Sequence, residues 1–368
     1  MILKSIKLIN FRNYQNLEME FSPEINFITG QNGSGKTNIL EAVSIISNLK
    51  SFRNILDKDM IRWNNNSYYC SGEITGSEQA RFEVGFSNEN FKIKKKLKID
   101  GNEIKKVSDY YGKLITVAFI PSDINIISGP PEIRRRYFDS VISKLYPEYI
   151  DDLNRLRQIL NARNILLKKI KAGLTDLKQI DVWNRMFADK SYSIIKKRIE
   201  FINIFNSIFY NIYKNISGEI ESPLITYNST LNYISHEEIF NDILNNQRRD
   251  IRRGSTGIGP QRDDYLFCNS PGFNFMNYAS QGQKRTAVIS LKISEFEIIK
   301  KIREKKSIIL VDDIFSELDE KRRNNMIEIL IKEGQLIFTM VDNNRLRVSE
   351  NYKTKSFLVN NGYVINSY

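Results

Sequence analysis

The stretch Ile25-Asn26-Phe27-Ile28-Thr29-Gly30-Gln31-Asn32-Gly33-Ser34-Gly35-Lys36-Thr37-Asn38 reads as a short apolar strand, a glycine-rich turn and the start of a helix. The turn satisfies G-x-x-x-x-G-K-[ST]. In that pattern the backbone N–H groups from Gly30 to Gly35 can wrap a phosphate chain. Lys36 reaches its outer phosphates, and the Thr37 hydroxyl can ligate Mg²⁺. Beyond Thr37, Ile39, Leu40, Val43 and Ile46 share one helical face, so the turn sits at a strand-to-helix junction. Upstream, Ile6 and Leu8, then Leu17, Met19 and Phe21, alternate with polar residues as short strands do.

Two further elements belong with this loop. Ser307-Ile-Ile-Leu-Val311 is a continuous apolar run ending in Asp312-Asp313, as expected of a buried parallel strand that delivers carboxylates at its C-terminal edge. Asp312 is placed to hold Mg²⁺ directly or through water, and Asp313 to orient or deprotonate an attacking water. Gln335-Leu-Ile-Phe-Thr339 supplies another buried strand beside it. The other element is Tyr278-Ala-Ser280-Gln281-Gly282-Gln283-Lys284-Arg285, followed by a helix carrying Ala287, Val288, Leu291 and Glu295. Ser280 suits an N-cap and Gly282 permits close backbone approach, which makes this helix start a second anion site. Lys36, Ser280, Asp312 and Asp313 form the expected catalytic set, and Gly30 to Asn38 with Ser280, Gln281 and Gly282 the nucleotide-binding set. A transporter ATPase subunit or a small-molecule phosphotransferase would share the loop, but a phosphotransferase has no use for the Ser280 element.

Tyr68 to Val117 has antiparallel-sheet character, punctuated by Gly76, Asn88 and Asp100-Gly101. From Pro147 the apolar spacing turns helical, breaks near Ala172-Gly173, and resumes through Trp183, Phe187, Ile194 and Ile202. Ser356-Phe-Leu-Val359, then Asn360-Asn-Gly362, then Tyr363-Val-Ile365 reads as a hairpin. With 368 residues, two lobes are expected. Cys70 and Cys268 lie far apart and outside any metal-binding spacing, and His236 is the one histidine, so zinc and multi-histidine chemistry have no support. No apolar run approaches a membrane span and no secretion signal is visible, so a cytoplasmic protein is expected. The net charge of +12 points to a polyanionic partner.

These blocks, in order, resemble the RecF family of ABC/SMC-type ATPases. The likeness runs through LINFRNYQNLEMEFSPEINFITGQNGSGKTNILEAV, SFRNILDKDMIRW, FIPSDINIISGPPEIRRRYFD, DIRRGSTGIGPQRDD, YASQGQKRTAVISLKISE and ILVDDIFSELDEKRR, nearly the whole chain, and the short spacers separate it from long coiled-coil relatives. The resemblance implies an α/β fold: a P-loop ABC-type head of mixed sheet with flanking helices, residues 1–125 and 255–368, and a smaller, mostly helical lobe, residues 126–254. It implies a homodimer glued by ATP and Mg²⁺, in which Ser280 and Gly282 serve the nucleotide of the other protomer and Ser316 to Asp319 contact it. It also implies a weak, DNA-stimulated ATPase that clamps double-stranded and gapped DNA and works with RecR and RecO to help RecA load. Asp313 stands where transporter ATPases have Glu and Thr339 near their switch His, which points to slow turnover. Gln261 stands where such sequences often have His. The expected phosphate contacts are Lys92, Lys94, Lys95 and Lys96 on one strand, Arg134, Arg135 and Arg136, and Arg248 and Arg249.

Overall fold

The computed structural model describes residues 1–76, 79–89, 92–217, 223–270, 273–313, 320–341 and 351–367. Two compact units emerge, Met1–Asp123 with Glu295–Tyr368, and Ile124–Ser294. The boundary between Ser294 and Glu295 falls inside a long helix, so residues 255–294 group with the helical unit.

The first unit opens with β1 (Ile2–Phe11), β2 (Tyr14–Glu20), β3 (Ile25–Thr29), α1 (Lys36–Asn48), β4 (Ser67–Thr75), β5 (Ala80–Glu89), β6 (Lys92–Ile99), β7 (Asn102–Glu103) and β8 (Thr116–Phe119). The second contains α2 (Ile124–Ser128), α3 (Pro131–Leu145), α4 (Glu148–Lys171), α5 (Asp181–Ser217), β9 (Leu224–Asn228), α6 (His236–Arg253), β10 (Asp264–Ser270), β11 (Phe273–Asn274), α7 (Phe275–Tyr278) and the start of α8 (Gln281–Arg303). The chain then returns through β12 (Ile308–Asp312), α9 (Glu320–Glu333), β13 (Leu336–Met340), β14 (Thr354–Asn360) and β15 (Tyr363–Ser367).

The first unit holds two sheets. One is antiparallel, in the order β2-β1-β4-β5-β6-β7. The other, β15-β14-β3-β13-β12-β8, is parallel except for the closing β14–β15 hairpin. Thr116–Phe119 therefore leaves the antiparallel region expected through Val117 and pairs parallel to β12. β3, β12 and β13 are buried along their whole length, as their unbroken apolar runs require of a sheet covered on both faces. The helix α1 supplies that cover. Its Ile39, Leu40, Val43 and Ile46 are fully buried, and it packs against β4 and β5 of one sheet and β8, β12 and β13 of the other. Gln335 pins the two sheets together: its amide accepts from Leu3 N at 2.8 Å and donates to Leu3 O at 2.9 Å and Ser22 O at 2.7 Å.

The second unit packs α3, α4, α5 and α6 with a small sheet, β11-β10-β9, that the helical spacing does not announce. Its interior is held by arginines. Arg198, 2% exposed in its side chain, reaches both Asp139 oxygens, Tyr149, Tyr227 and Pro260 O. Arg163 bridges α4 to Asn184 at 2.9 Å, Asp250 at 2.8 Å and Thr256 at 2.6 Å. Burial lowers the Arg163 guanidinium from its usual range, and Asp250 pulls it back up. Both side chains of that pair are out of water, so neither charge survives alone. Arg163→Ala, which strands the Asp250 carboxylate, is expected to cost about 3–5 kcal/mol of stability. Urea denaturation reads it, and a loss below ~1 kcal/mol would mean that solvent replaces the guanidinium.

Candidate nucleotide site

The site grows from the C-terminal edge of β3. Gly30 must be glycine: its φ is 145°, and a Cβ there would lie 2.3 Å from Val359 O of the neighbouring β14. Gly35 has φ 116°, and its Cβ would lie 2.3 Å from Asn13 Nδ2. Asn13 and Tyr14, at the β1–β2 turn, brace the loop from outside. Asn13 Nδ2 donates to Ser34 O at 2.9 Å, Tyr14 Oη donates to Gly35 O at 3.0 Å, and Asn13 Oδ1 accepts from Asn38 Nδ2 at 2.9 Å. On the other flank Gly362 N, in the β14–β15 turn, donates to Ser34 O at 3.3 Å. The neighbouring Arg12 locks this turn to α1 through Glu41, with N–O distances of 2.8 and 2.9 Å to a carboxylate that is wholly buried.

Inside the loop, Lys36 Nζ donates to Gly30 O at 2.7 Å and Gln31 O at 2.9 Å. Burial lowers its pKa, while Asp313 and Asp312 pull the other way. Gln31, Asn32 and Gly33 are exposed at the tip, and α1 starts at Lys36, so its unpaired N-terminal amides lie in the loop. Ser34 Oγ is buried without a partner among the described residues. A loop shaped to meet an outside group leaves such an atom unsatisfied.

Asp312, at the end of β12, accepts two hydroxyls on the same oxygen. Thr37 Oγ1 and Thr339 Oγ1 each lie 2.7 Å from Asp312 Oδ1. Asp313 then turns away into the left-handed region, φ 48°, with its N–H shared between Thr339 O at 3.3 Å and Thr339 Oγ1 at 3.2 Å. The oxygens of Thr37 and Asp312 are hard donors of the kind Mg²⁺ takes, so the residues present fit that ion.

Lys36, Thr37, Asp312 and Asp313 therefore converge in the first unit. Ser280, Gln281 and Gly282 stand exposed in the second. Ser280 caps α8, and its partner is Gln283: Gln283 N donates to Ser280 Oγ at 3.2 Å and Ser280 N donates to Gln283 Oε1 at 2.6 Å, a reciprocal capping box. A Cβ on Gly282 would meet only Ser280 Oγ, at 3.9 Å, so packing within this chain does not demand glycine there. Ser316 to Asp319 lie outside the described residues.

The basic groups divide. Lys92, Lys94 and Lys96 are exposed along β6, and Arg136, Arg248 and Arg249 are exposed on α3 and α6. Three others are corrected to internal partners. Lys95 points to the opposite face of its strand and holds Leu49 O at 2.7 Å and Asp57 at 2.9 Å. Arg134 is 1% exposed, clamps both Asp264 oxygens at 2.8 Å and reaches Gly129 O. Arg135, half-buried, donates to Asp263 O at 2.7 Å. Alternation along β6 was the available signal for Lys95, since a pleated strand sends neighbours to opposite faces. The bracing by Asn13 and Gly362 carried no signal in spacing.

A family model described as the RecF/RecN/SMC N terminal domain matches residues 2–362. The DNA replication and repair protein RecF of Leptospira interrogans serogroup Icterohaemorrhagiae serovar Lai is 37% identical over 343 residues, covering 93% of this chain and 92% of that one. The chain belongs to the RecF family. Another RecF, from Lachnoclostridium phytofermentans, is 34% identical over 368 residues, 98% of this chain and 100% of its own. Among solved structures, the recombination mediator protein RecF with ATP in the RecFOR pathway superposes with a TM-score of 0.92 at 29% identity, covering 100% of this chain and 98% of that one. An SMC head bound to the C-winged helix domain of ScpA shares the fold alone, with a TM-score of 0.54 at 15% identity over 100% and 98% of the two chains. The fold of this RecF-family chain is accordingly an ABC/SMC-type ATPase head with a smaller, mostly helical second lobe.

The bracing of the loop generates a test. Gly35→Ala brings a Cβ onto the Asn13 amide in a backbone region closed to L side chains, and should weaken nucleotide affinity by roughly 10-fold or more. Equilibrium binding of a fluorescent ATP analogue measures it. Unchanged affinity with an intact fold would show that Asn13 moves aside freely.

Proposed function

We propose that this chain is an ATP-gated DNA-binding ATPase of recombinational repair, closing as a homodimer on ATP and opening on slow hydrolysis. The observation that carries this reading is the convergence of Thr37, Thr339 and Asp312 on one carboxylate oxygen beside Lys36. That geometry is what a P-loop ATPase needs to hold a metal-bound triphosphate. Bound Mg²⁺ would supply charge neutralisation between the outer phosphates, held by Thr37 and Asp312.

The chain's own groups do the rest. Lys36 exchanges its Gly30 and Gln31 carbonyls for the phosphate oxygens of ATP, a charge-assisted replacement. Asp313, at the left-handed turn that follows Asp312, orients the attacking water and takes its proton. The capping box leaves the start of α8 rigid, exposed and unobstructed at Gly282, which suits it to approach the triphosphate held by a second copy. Two such sites related by a twofold axis make ATP the glue of the dimer.

DNA enters through charge. The exposed cations on β6 and α6 and the net charge of +12 favour phosphate contacts over base readout. The RecF relatives are named for DNA replication and repair, and the solved RecF–ATP structure is placed in the RecFOR pathway. By that kinship the DNA partners are duplex and gapped DNA, the protein partners RecR with RecO and, through them, RecA, and the setting is the cytoplasm. Among the described residues no helix is long and apolar enough to cross a membrane.

Light scattering with and without ATP tests the dimer. The wild type should double in mass with ATP. Lys36→Ala should lose nucleotide affinity by roughly 10- to 100-fold, and Ser280→Arg should bind ATP as a monomer yet fail to pair. Normal pairing by Ser280→Arg would end the trans-site reading. For hydrolysis, Asp313→Asn should slow turnover by about 100- to 10,000-fold and trap the closed dimer. Wild-type turnover in that variant would remove Asp313 from its role.

A further inference from the structure

Among the described residues the most exposed large apolar side chain is Trp63, 91% accessible. Its backbone is held in place. Arg62 N donates to Asn10 O at 2.9 Å, Asn65 N closes a tight turn onto Arg62 O at 3.1 Å, and Asn65 Nδ2 donates to Trp63 O at 3.0 Å. The next residue, Asn64, takes φ 63° to make that turn. On its far side Asn66 O accepts from Asn88 N at 2.8 Å, which ties the turn to the β5–β6 strand pair. The indole is thus carried by a fixed turn at one end of the antiparallel sheet.

The strand beside that tie is cationic. Lys92, Lys94 and Lys96 are exposed on one face, and Ile93, on the other and paired in register with Asn88, is 67% exposed. The nearby carboxylate Asp57 is already neutralised by Lys95. An exposed aromatic face on a hydrogen-bonded turn, with exposed ammonium groups along a nearby strand, matches unpaired nucleotides, whose bases stack on the ring while their phosphates meet the cations. A protein partner would call for a contiguous apolar patch, whereas the exposed face of β6 carries lysines.

We propose that Trp63 is a stacking platform for an unpaired base of single-stranded DNA, with Lys92, Lys94 and Lys96 contacting the phosphates next to it. The proposal rests on the DNA-binding reading above and assigns part of that surface to the single-stranded side of a gap.

The sequence contains two tryptophans, Trp63 and Trp183, so Trp183→Phe leaves Trp63 as the sole indole reporter. Titrating that variant with oligothymidylate should quench its emission by roughly half or more, as base stacking on an indole does. Trp63→Ala should bind the oligonucleotide roughly 10- to 100-fold more weakly, Trp63→Phe should recover part of the loss, and affinity for blunt duplex should change little in either. Unaltered emission at saturating oligonucleotide, or wild-type affinity in Trp63→Ala, overturns the platform. Quenching by an acidic peptide and not by the oligonucleotide also overturns it, in favour of a protein partner. A wild-type protein that binds neither duplex nor single strand refutes the DNA-binding reading itself, whereas sound duplex binding with a silent Trp63 refutes the platform alone.

Discussion

One carboxylate oxygen organises the nucleotide site. Asp312 Oδ1 receives a hydroxyl from Thr37 at the start of α1 and another from Thr339 in β13, so a helix and two strands meet on a single atom. A buried carboxylate is tolerable only when its lone pairs are engaged, and here the engagement also fixes direction. Thr339 serves twice, because its main-chain and side-chain oxygens share the Asp313 amide and hold the left-handed turn at the second acid.

The second unit follows another logic. Arg134, Arg163 and Arg198 thread its apolar core, each bound to a carboxylate and to neutral acceptors, with Arg163 Nη2 alone of the three guanidinia's nitrogens left buried without a partner among the described residues. The run around Gly259 to Asp264 feeds this framework: Pro260 O meets Arg198, Asp263 meets Thr230 and Tyr227, and Asp264 meets Arg134. Burial raises the Asp263 carboxyl, and hydrogen bonds from Tyr227 and Thr230 oppose that rise. Gln261 donates to Ile258 O while its own carbonyl oxygen is buried without a partner among the described residues, so the amide fits this loop incompletely. Such networks define geometry more than they add stability.

Much of this was legible because it is local. The glycines of the phosphate loop, the apolar run into Asp312-Asp313 and the serine before a helix each express a short-range rule that survives without knowledge of the fold. What escaped is long-range. Nothing near Asn13 says that its amide will support Ser34, and nothing near Gly362 says that its N–H will do likewise. Lys95 and Arg134 look like their neighbours in composition, and only the pleat of β6 and the approach of β10 to α3 turn them inward. The small sheet β11-β10-β9 was hidden for the same reason, since its strands are separated by α6 in the chain.

Strand β3 has β13 on one side and β14 on the other, and the Asn26 amide reaches Leu336 O across 310 residues of sequence. On the ribosome the phosphate loop therefore emerges long before the strands that flank it. The nascent segment carries an apolar strand with two unsatisfied edges while the entire intervening lobe is made. Closing so long a loop is entropically slow, and an open, hydrophobic edge invites pairing with other chains. The antiparallel strands β1, β2 and β4 to β6 all lie upstream of residue 100, so that sheet can complete itself while β3 still waits for both of its neighbours.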